Sequence, residues 1–416
     1  MKIGYACMTI GLDTSLKSCI LKNATPDVLS DIIANNLTHL KNSILYNIEN
    51  NIKLFRISSD IIPFASHPVN TLDWKTIYKD ELFSIGTLIK KSNMRVSMHP
   101  GQYTIINSPT AEVVEKSILE LQYHADFLDT LNLDSTHKII IHIGGVYDEK
   151  STAISRFCET YNALNENIKK RLIIENDDKF YNINDVLFIS EKLNVPVVYD
   201  NLHHKLNHEE YKSDRYWIDI CNKTWSLEDG NQKIHYSQQN PLKKNGSHSE
   251  TIYIDEFIDF YNAISTSNVD IMLEVKDKNI SAIKCINITT DTKKINDLEL
   301  EWEKYKYLIL SKSHQNYLTI RQLLKNKSKY PAMEFYKIIE NSCLALESKK
   351  DEINAALHIW GYFKKYADEK EKKSFLKLMD EYEDDKKKIE YVKKNLYKLA
   401  IKYNISYLKK SYYFYV

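Results

Sequence analysis

The sequence predicts an α/β fold: a (β/α)₈ TIM-type barrel followed by an all-α C-terminal domain. Three observations carry that expectation. Short, continuous apolar runs alternate eight times with helical patterns before residue 285, as parallel strands do when both faces are covered. Six of those runs deliver a residue able to hold a metal, which places chemistry at one end of a closed sheet. After about residue 285 the alternation stops, and residues 296–416 read as helices throughout. An open doubly wound sheet is the rival, but it would gather its site at a single switch point.

Strands are expected to begin near residues 3, 54, 95, 138, 171, 195, 233 and 270. Helical patterns fill 26–50, 75–93, 111–132, 151–170, 183–194, 208–221 and 253–267. The first opens with Thr25 as N-cap and Pro26 at the first helical position, where a missing N–H costs nothing. The reading divides the chain into a barrel domain over 1–285, a linker over 286–301 and a helical domain over 302–416. In the last, Pro331 interrupts once and Tyr412-Tyr413-Phe414-Tyr415 closes the chain.

The chain of 416 residues is 43% hydrophobic, enough for one large core and a second domain. No apolar run approaches the roughly 18 residues of a membrane span, and Met1-Lys2-Ile3-Gly4-Tyr5 does not read as a secretory signal. The six cysteines are scattered without CxxC spacing, which suits a reducing compartment. A cytoplasmic location and no membrane partner are therefore expected. The net charge of +1 is unevenly spread, because residues 301–416 hold 25 Lys and Arg against 16 Asp and Glu. A basic tail adds sequence-blind affinity for a polyanion, although a charge run is more often a solvated face.

The six strand-end residues are His99, His142, Glu175, Asp200, His235 and Glu274. Each alone has an ordinary explanation: a hydrogen-bonded rim histidine, an ion-paired glutamate, or, for Asp200, a cap on the following helix. In series they make a mixed imidazole and carboxylate set, the donor chemistry of zinc or manganese rather than of calcium or iron–sulfur clusters. His203, His248 and His67 join them, and nine donors exceed the needs of one ion. Two or three ions sharing carboxylates would use them, as in clusters that clamp both oxygens of a phosphoryl displacement. Lys233 shares a face with His235 and is either a substrate-phosphate contact or a carboxylated, anionic ligand. His204 reads as a supporting residue beside His203. Four of the nine glycines, Gly101, Gly144, Gly145 and Gly246, lie within three residues of a candidate ligand. Beside His99, the loop Pro100-Gly101-Gln102-Tyr103 offers a ring and an amide suited to filling the gap left by an extruded nucleotide; packing of Tyr103 under the loop is the plain alternative.

These segments resemble the UV damage endonucleases. The match runs through Phe55-Arg56-Ile57-Ser58-Ser59, Pro63-Phe64-Ala65-Ser66-His67-Pro68 and Ser97-Met98-His99-Pro100-Gly101-Gln102-Tyr103. It continues through Ile141-His142-Ile143-Gly144-Gly145-Val146-Tyr147, Glu175-Asn176-Asp177, Asp200-Asn201-Leu202-His203-His204, Lys233-Ile234-His235-Tyr236-Ser237, Gly246-Ser247-His248 and Glu274-Val275-Lys276. The resemblance implies a DNA repair enzyme that nicks damaged duplex DNA 5′ of UV photoproducts, with two or three divalent ions, manganese first and zinc or magnesium as alternatives, and no nucleotide cofactor. It implies His99, His142 and Glu175 at one metal, Glu175, Asp200, His235 and Glu274 at a second, and His203 and His248 at a third. Lys233 resembles the family's modified lysine and His67 a histidine near the scissile phosphate, so His67, Lys233 and Glu175 are the expected catalytic residues. Gln102 and Tyr103 are the expected DNA-probing pair, with Tyr5 as a further lesion-side contact. An apurinic-site endonuclease, a sugar isomerase or epimerase, and a non-catalytic damage-binding module are the competing readings. From Trp302 onward the chain resembles a helical domain of unknown function also seen associated with photolyases, carried by Tyr305-Lys306-Tyr307-Leu308, Ser311-Lys312-Ser313-His314 and His358-Ile359-Trp360-Gly361-Tyr362-Phe363.

Overall fold

A computed structural model describes residues 1–147, 149–290 and 292–416. Eight parallel strands close into a barrel in sequence order. They are β1 (Ile3–Ala6), β2 (Leu54–Ile57), β3 (Arg95–Met98), β4 (Lys138–His142), β5 (Leu172–Glu175), β6 (Val197–Asp200), β7 (Gln232–Tyr236) and β8 (Val269–Leu273). Closure is made by β8 pairing with β1, Ile271 opposite Ile3. The strands are short and almost wholly buried, as continuous Ile/Val/Leu runs require when helices cover one face and the barrel interior fills the other.

The helices follow the amphipathic patterns. Helix Pro26–Glu49 starts at Thr25, whose side chain accepts from the Val28 N–H. The pattern over 208–221 resolves differently, as helices Asn201–Leu206 and Asp214–Asn222. The reason is local: one Asp200 oxygen accepts from the His203 N–H at 2.8 Å and starts a helix directly at the end of β6.

Strand polarity is chemically marked. β3 and β4 begin with Arg95 and Lys138, and Arg171 directly precedes β5. At that end Arg95 pairs with Asp270 at 3.1 Å, Lys138 with Asp229 at 2.5 Å and Arg171 with Asp129 at 2.5 Å. The opposite end carries the candidate ligands, so the same strands are tied down at one face and equipped at the other.

The chain forms two compact units, Met1–Thr9 with Asp13–Ile286 and Ile10–Leu12 with Asn287–Val416. In the second unit, helix Ile295–Lys312 begins where the helical reading from residue 296 places it, inside the segment assigned as a linker. The helices of this unit pack around Ile359, Phe363, Phe375, Val392 and Leu396, with Trp360 stacked on Phe375 at 4.3 Å between centroids. Pro331 lies at the N-terminal boundary of helix Ala332–Leu344, where it interrupts no helical hydrogen bond. Among the described residues no helix is long and apolar enough to cross a membrane.

Candidate metal centre

The six strand ends meet. Glu175, at the tip of β5 and buried, is the hub: one oxygen lies 3.4 Å from His99 Nε2 and 3.9 Å from His142 Nε2. Its other oxygen accepts from His235 Nδ1 at 2.9 Å and lies 3.5 Å from His203 Nδ1. Glu274, just beyond β8, faces His235 at 3.5 Å with one oxygen and His248 at 3.7 Å with the other. Two groups, His99 with His142 and Glu175, and Glu175 with Asp200 and His235, each bring their donor atoms within 4.8 Å of one another. His203 lies against Glu175 and Asp200, the latter at 3.8 Å, whereas His248 approaches Glu274.

Supporting contacts orient several donors. His99 Nδ1 meets the Pro100 carbonyl at 3.0 Å, and His203 Nδ1 meets the Asn176 carbonyl at 3.0 Å. With Nδ1 engaged at these carbonyls, Nε2 is the ring atom left to face a ligand. Asn176 also binds the Asp200 backbone through both side-chain atoms. His248 returns over the mouth on a hairpin, paired through Gln239, with Gly246 at φ +84° making the turn.

The residues fit a cation. Among the described residues, buried Glu175 Oε2, Asp200 Oδ2, His235 Nε2 and His142 Nδ1 have no hydrogen-bond partner. An unpaired buried polar atom is costly, and three carboxylates in one pocket repel. Asp200 caps the following helix with one oxygen, and its other oxygen is buried and unpartnered among the described residues. Burial raises the Asp200 carboxyl, with Glu175 and Glu274 adding to the rise against His203. Burial also opposes ionisation of Glu175, but His235 and His142 hold its carboxyl well below the usual range. For Glu274 the same burial is overcome by Arg56 and His235. Burial takes His142 down to about 4 against the pull of Glu175. His203 is carried up to about 11, because Asp200 and Glu175 outweigh its burial.

Lys233 is fully buried and its amine has no hydrogen-bond partner among the described residues. Burial and the nearby Arg95 lower its pKa far below the ordinary value; Asp270 opposes this, while Arg56 and Lys138 add to it. His67 is exposed on the loop after β2, its Nδ1 accepting from the Val69 N–H at 3.1 Å. Gln102 and Tyr103 are also exposed, Tyr103 at 67%. A Cβ on Gly101 would come 2.4 Å from the Tyr103 ring, so this glycine lets the ring lie over the loop.

Two expectations are corrected. Tyr5 has no exposed surface, and its hydroxyl is used by Thr9 at 2.5 Å and Asn47 at 2.8 Å, so it presents no face to a base. His204 is packed between Tyr199 and Trp217 rather than behind the cluster. Three residues were missed. Arg56 pairs with Glu274 at 2.5 Å, and its signal was a lone cation in the apolar run Leu54-Phe55-Arg56-Ile57. Ser59 donates to the His99 carbonyl at 2.7 Å and is itself held by His124 at 3.0 Å, a chain with no signature in the sequence.

A closed βα barrel with buried imidazoles and carboxylates converging at its C-terminal mouth is a TIM-type barrel carrying a candidate metal centre. The family model of the UV-endonuclease UvdE matches residues 1–305, and a model for a protein of unknown function matches 306–416. The chain belongs to the UV-endonuclease UvdE family. A UV DNA damage endonuclease of Clostridium perfringens (strain 13 / Type A) is 43% identical over 390 residues, covering 89% of this chain and 93% of that protein. One of Bacillus cereus (strain G9842) is 35% identical over 296 residues, covering 70% and 92%. The crystal structure of SacUVDE superposes with a TM-score of 0.66 at 40% identity, covering 69% of this chain and 97% of that one.

Proposed function

We propose that the chain is a DNA repair endonuclease that nicks damaged duplex DNA immediately 5′ of UV photoproducts, leaving a 3′-hydroxyl and a 5′-phosphate. The carrying observation is the cluster around Glu175, with its unpartnered buried oxygens and ring nitrogens, in a member of this family. His99, His142, Glu175, Asp200, His235, Glu274, His203 and His248 would hold two or three divalent cations, manganese first. When bound, such ions supply Lewis acidity that activates an attacking water and takes up charge on the departing oxygen.

The chain's own residues supply the rest. Glu175 turns its two oxygens to different histidines, the arrangement of a bridging carboxylate. Backbone donation to His67 Nδ1 turns Nε2 outward as the ring atom that hydrogen-bonds a phosphate or the departing 3′ oxygen. Lys233 is too buried to reach a phosphate, which favours the carboxylated reading. Addition of its amine to carbon dioxide forms an N–C bond and releases a proton, and the carbamate anion so formed would be favoured by the same cations that disfavour an ammonium there, Arg95, Arg56 and Lys138. Tyr103 and Gln102 enter the space left by an extruded, crosslinked dinucleotide, which costs less to unstack than healthy sequence.

A labelled duplex with one cyclobutane dimer, assayed with Mn²⁺ or EDTA beside undamaged and abasic duplexes, tests this reading. The expected result is a Mn²⁺-dependent cut 5′ of the dimer, reduced about a hundredfold or more in Glu175→Gln. Cutting confined to the abasic duplex would replace the proposal by an apurinic-site endonuclease. Binding without cutting by metal-loaded protein would leave a damage-binding module.

A further inference from the structure

Ten described non-glycine residues have positive φ. Six are Asn or Asp beyond helix ends, where such a conformation is cheap. The other four, Cys7, Phe64, Tyr147 and Lys278, follow β1, β2, β4 and β8. Strain of this kind persists only where the surroundings enforce it, and it marks places where function fixes the backbone. Tyr147, at φ +57° and 43% exposed, is the one on the loop leading from His142.

Beside Tyr147 lies a joint between mouth loops. The Asn107 side chain donates to the Gly145 carbonyl at 2.8 Å and to the Tyr181 hydroxyl at 3.2 Å. Tyr181 in turn donates to the same Gly145 carbonyl at 3.0 Å. Gly144, at φ +115°, has no room for a Cβ, which would meet Asn107 Oδ1 at 2.4 Å and Ile105 at 2.7 Å. The loops carrying His99 and His142 are thus bolted together.

Across this joint reaches Arg156, from helix Lys150–Ala163. Its Nε donates to the Asn107 carbonyl at 2.9 Å, and its guanidinium lies over the Tyr147 ring, 5.4 Å from the centroid. No described carboxylate pairs with it, and its two terminal nitrogens have no protein acceptor among the described residues. A guanidinium fixed through one N–H and one face, with its fork unspent, is pre-organised for a phosphate.

We propose that Arg156 is a phosphate-binding residue of the DNA interface, with Tyr147 and Asn107 as its positioning residues. The inference rests on the reading of the chain as a DNA endonuclease. The occupant is one backbone phosphate beside the barrel mouth. Arg156 carries no sequence information; it holds the duplex in register while the loop after β3 probes it.

The test is the salt dependence of kcat/KM on the dimer duplex, measured from about 50 to 200 mM KCl for the full chain, Arg156→Gln and Arg156→Lys. Losing one phosphate contact reduces the steepness of log(kcat/KM) against log[salt] by about 0.9 and weakens engagement about tenfold at low salt. Arg156→Lys keeps the steepness because it keeps the charge, while losing part of the affinity with the fork. A purely structural role would change thermal stability and leave the steepness as in the parent, and that result overturns the proposal. Arg156→Met, which preserves the stem over Tyr147, replaces the Gln variant if the latter does not fold. If the parent protein does not cut the dimer duplex, the endonuclease reading itself fails; the same variants compared by fluorescence anisotropy on undamaged duplex then decide the phosphate contact alone.

Discussion

At the scale of single residues, the most unusual environment belongs to Lys233. An ammonium there would face burial and three nearby cations against one carboxylate, and carbamate formation reverses the sign of that interaction. Protein equilibrated with ¹³C-bicarbonate is expected to show a carbamate carbon by NMR that is missing from Lys233→Arg; its absence from the parent would return Lys233 to an unmodified buried amine. Gly101 makes a second prediction. Alanine there collides with the exposed Tyr103 ring, the far end of a side chain free to swing out, so thermal stability is expected to change little. Discrimination between dimer and undamaged duplex should drop about tenfold, near the value of one lost stacking contact, as nicking rates on the two substrates would reveal. Equal discrimination in Gly101→Ala and parent would detach Tyr103 from lesion probing.

At the scale of elements, the strands were legible because their residues have a polarity as well as a period. Arg95, Lys138 and Arg171 open what His99, His142 and Glu175 finish, so each start was readable to within two residues of the observed strand. Helix boundaries were less legible where a side chain outside the periodic run decides them, as Asp200 does for Asn201–Leu206. The strand-end donors could be read one by one, but not their mutual arrangement: that Glu175 is the hub depends on how far each strand projects. Tyr5 failed as a surface residue because alternation along a strand of four residues does not tell a barrel interior from a rim. Arg56 and the His124–Ser59–His99 chain join positions far apart in sequence, and one sequence offers no signal for such pairings.

At the scale of the whole molecule, each of the two units has its own core, and the B. cereus relative aligns over 296 residues with 92% of its length. The stability of the barrel unit is open to a pH test. His124, which backs the His99 loop through Ser59, and His137 are buried in the barrel unit, with burial taking them down to about 4 and about 3. In the unfolded chain both titrate near 6.5, so between pH 6.5 and about 4 the unfolded state holds more protons and acid favours it. Stability is expected to be fully present above pH 6.5 and to fall below it by about 1.4 kcal/mol per pH unit for each histidine. His137→Asn, whose amide oxygen can still accept from the Val96 N–H that now binds His137 Nδ1, should flatten the fall by one histidine's share in urea unfolding followed in EDTA. An unchanged slope would mean that His137 is not held neutral.

The donors also come from strands spread along nearly the whole barrel, from His99 beyond β3 to Glu274 beyond β8, and β8 is the strand that pairs with β1. A ribosome-bound or clipped chain that stops before β8 has neither a closed sheet nor the full set of candidate donors. On the proposed function, cutting competence arrives with the last strand, while the helical unit is still to be made, so a copy halted before β8 leaves untouched the genome it is being made to repair.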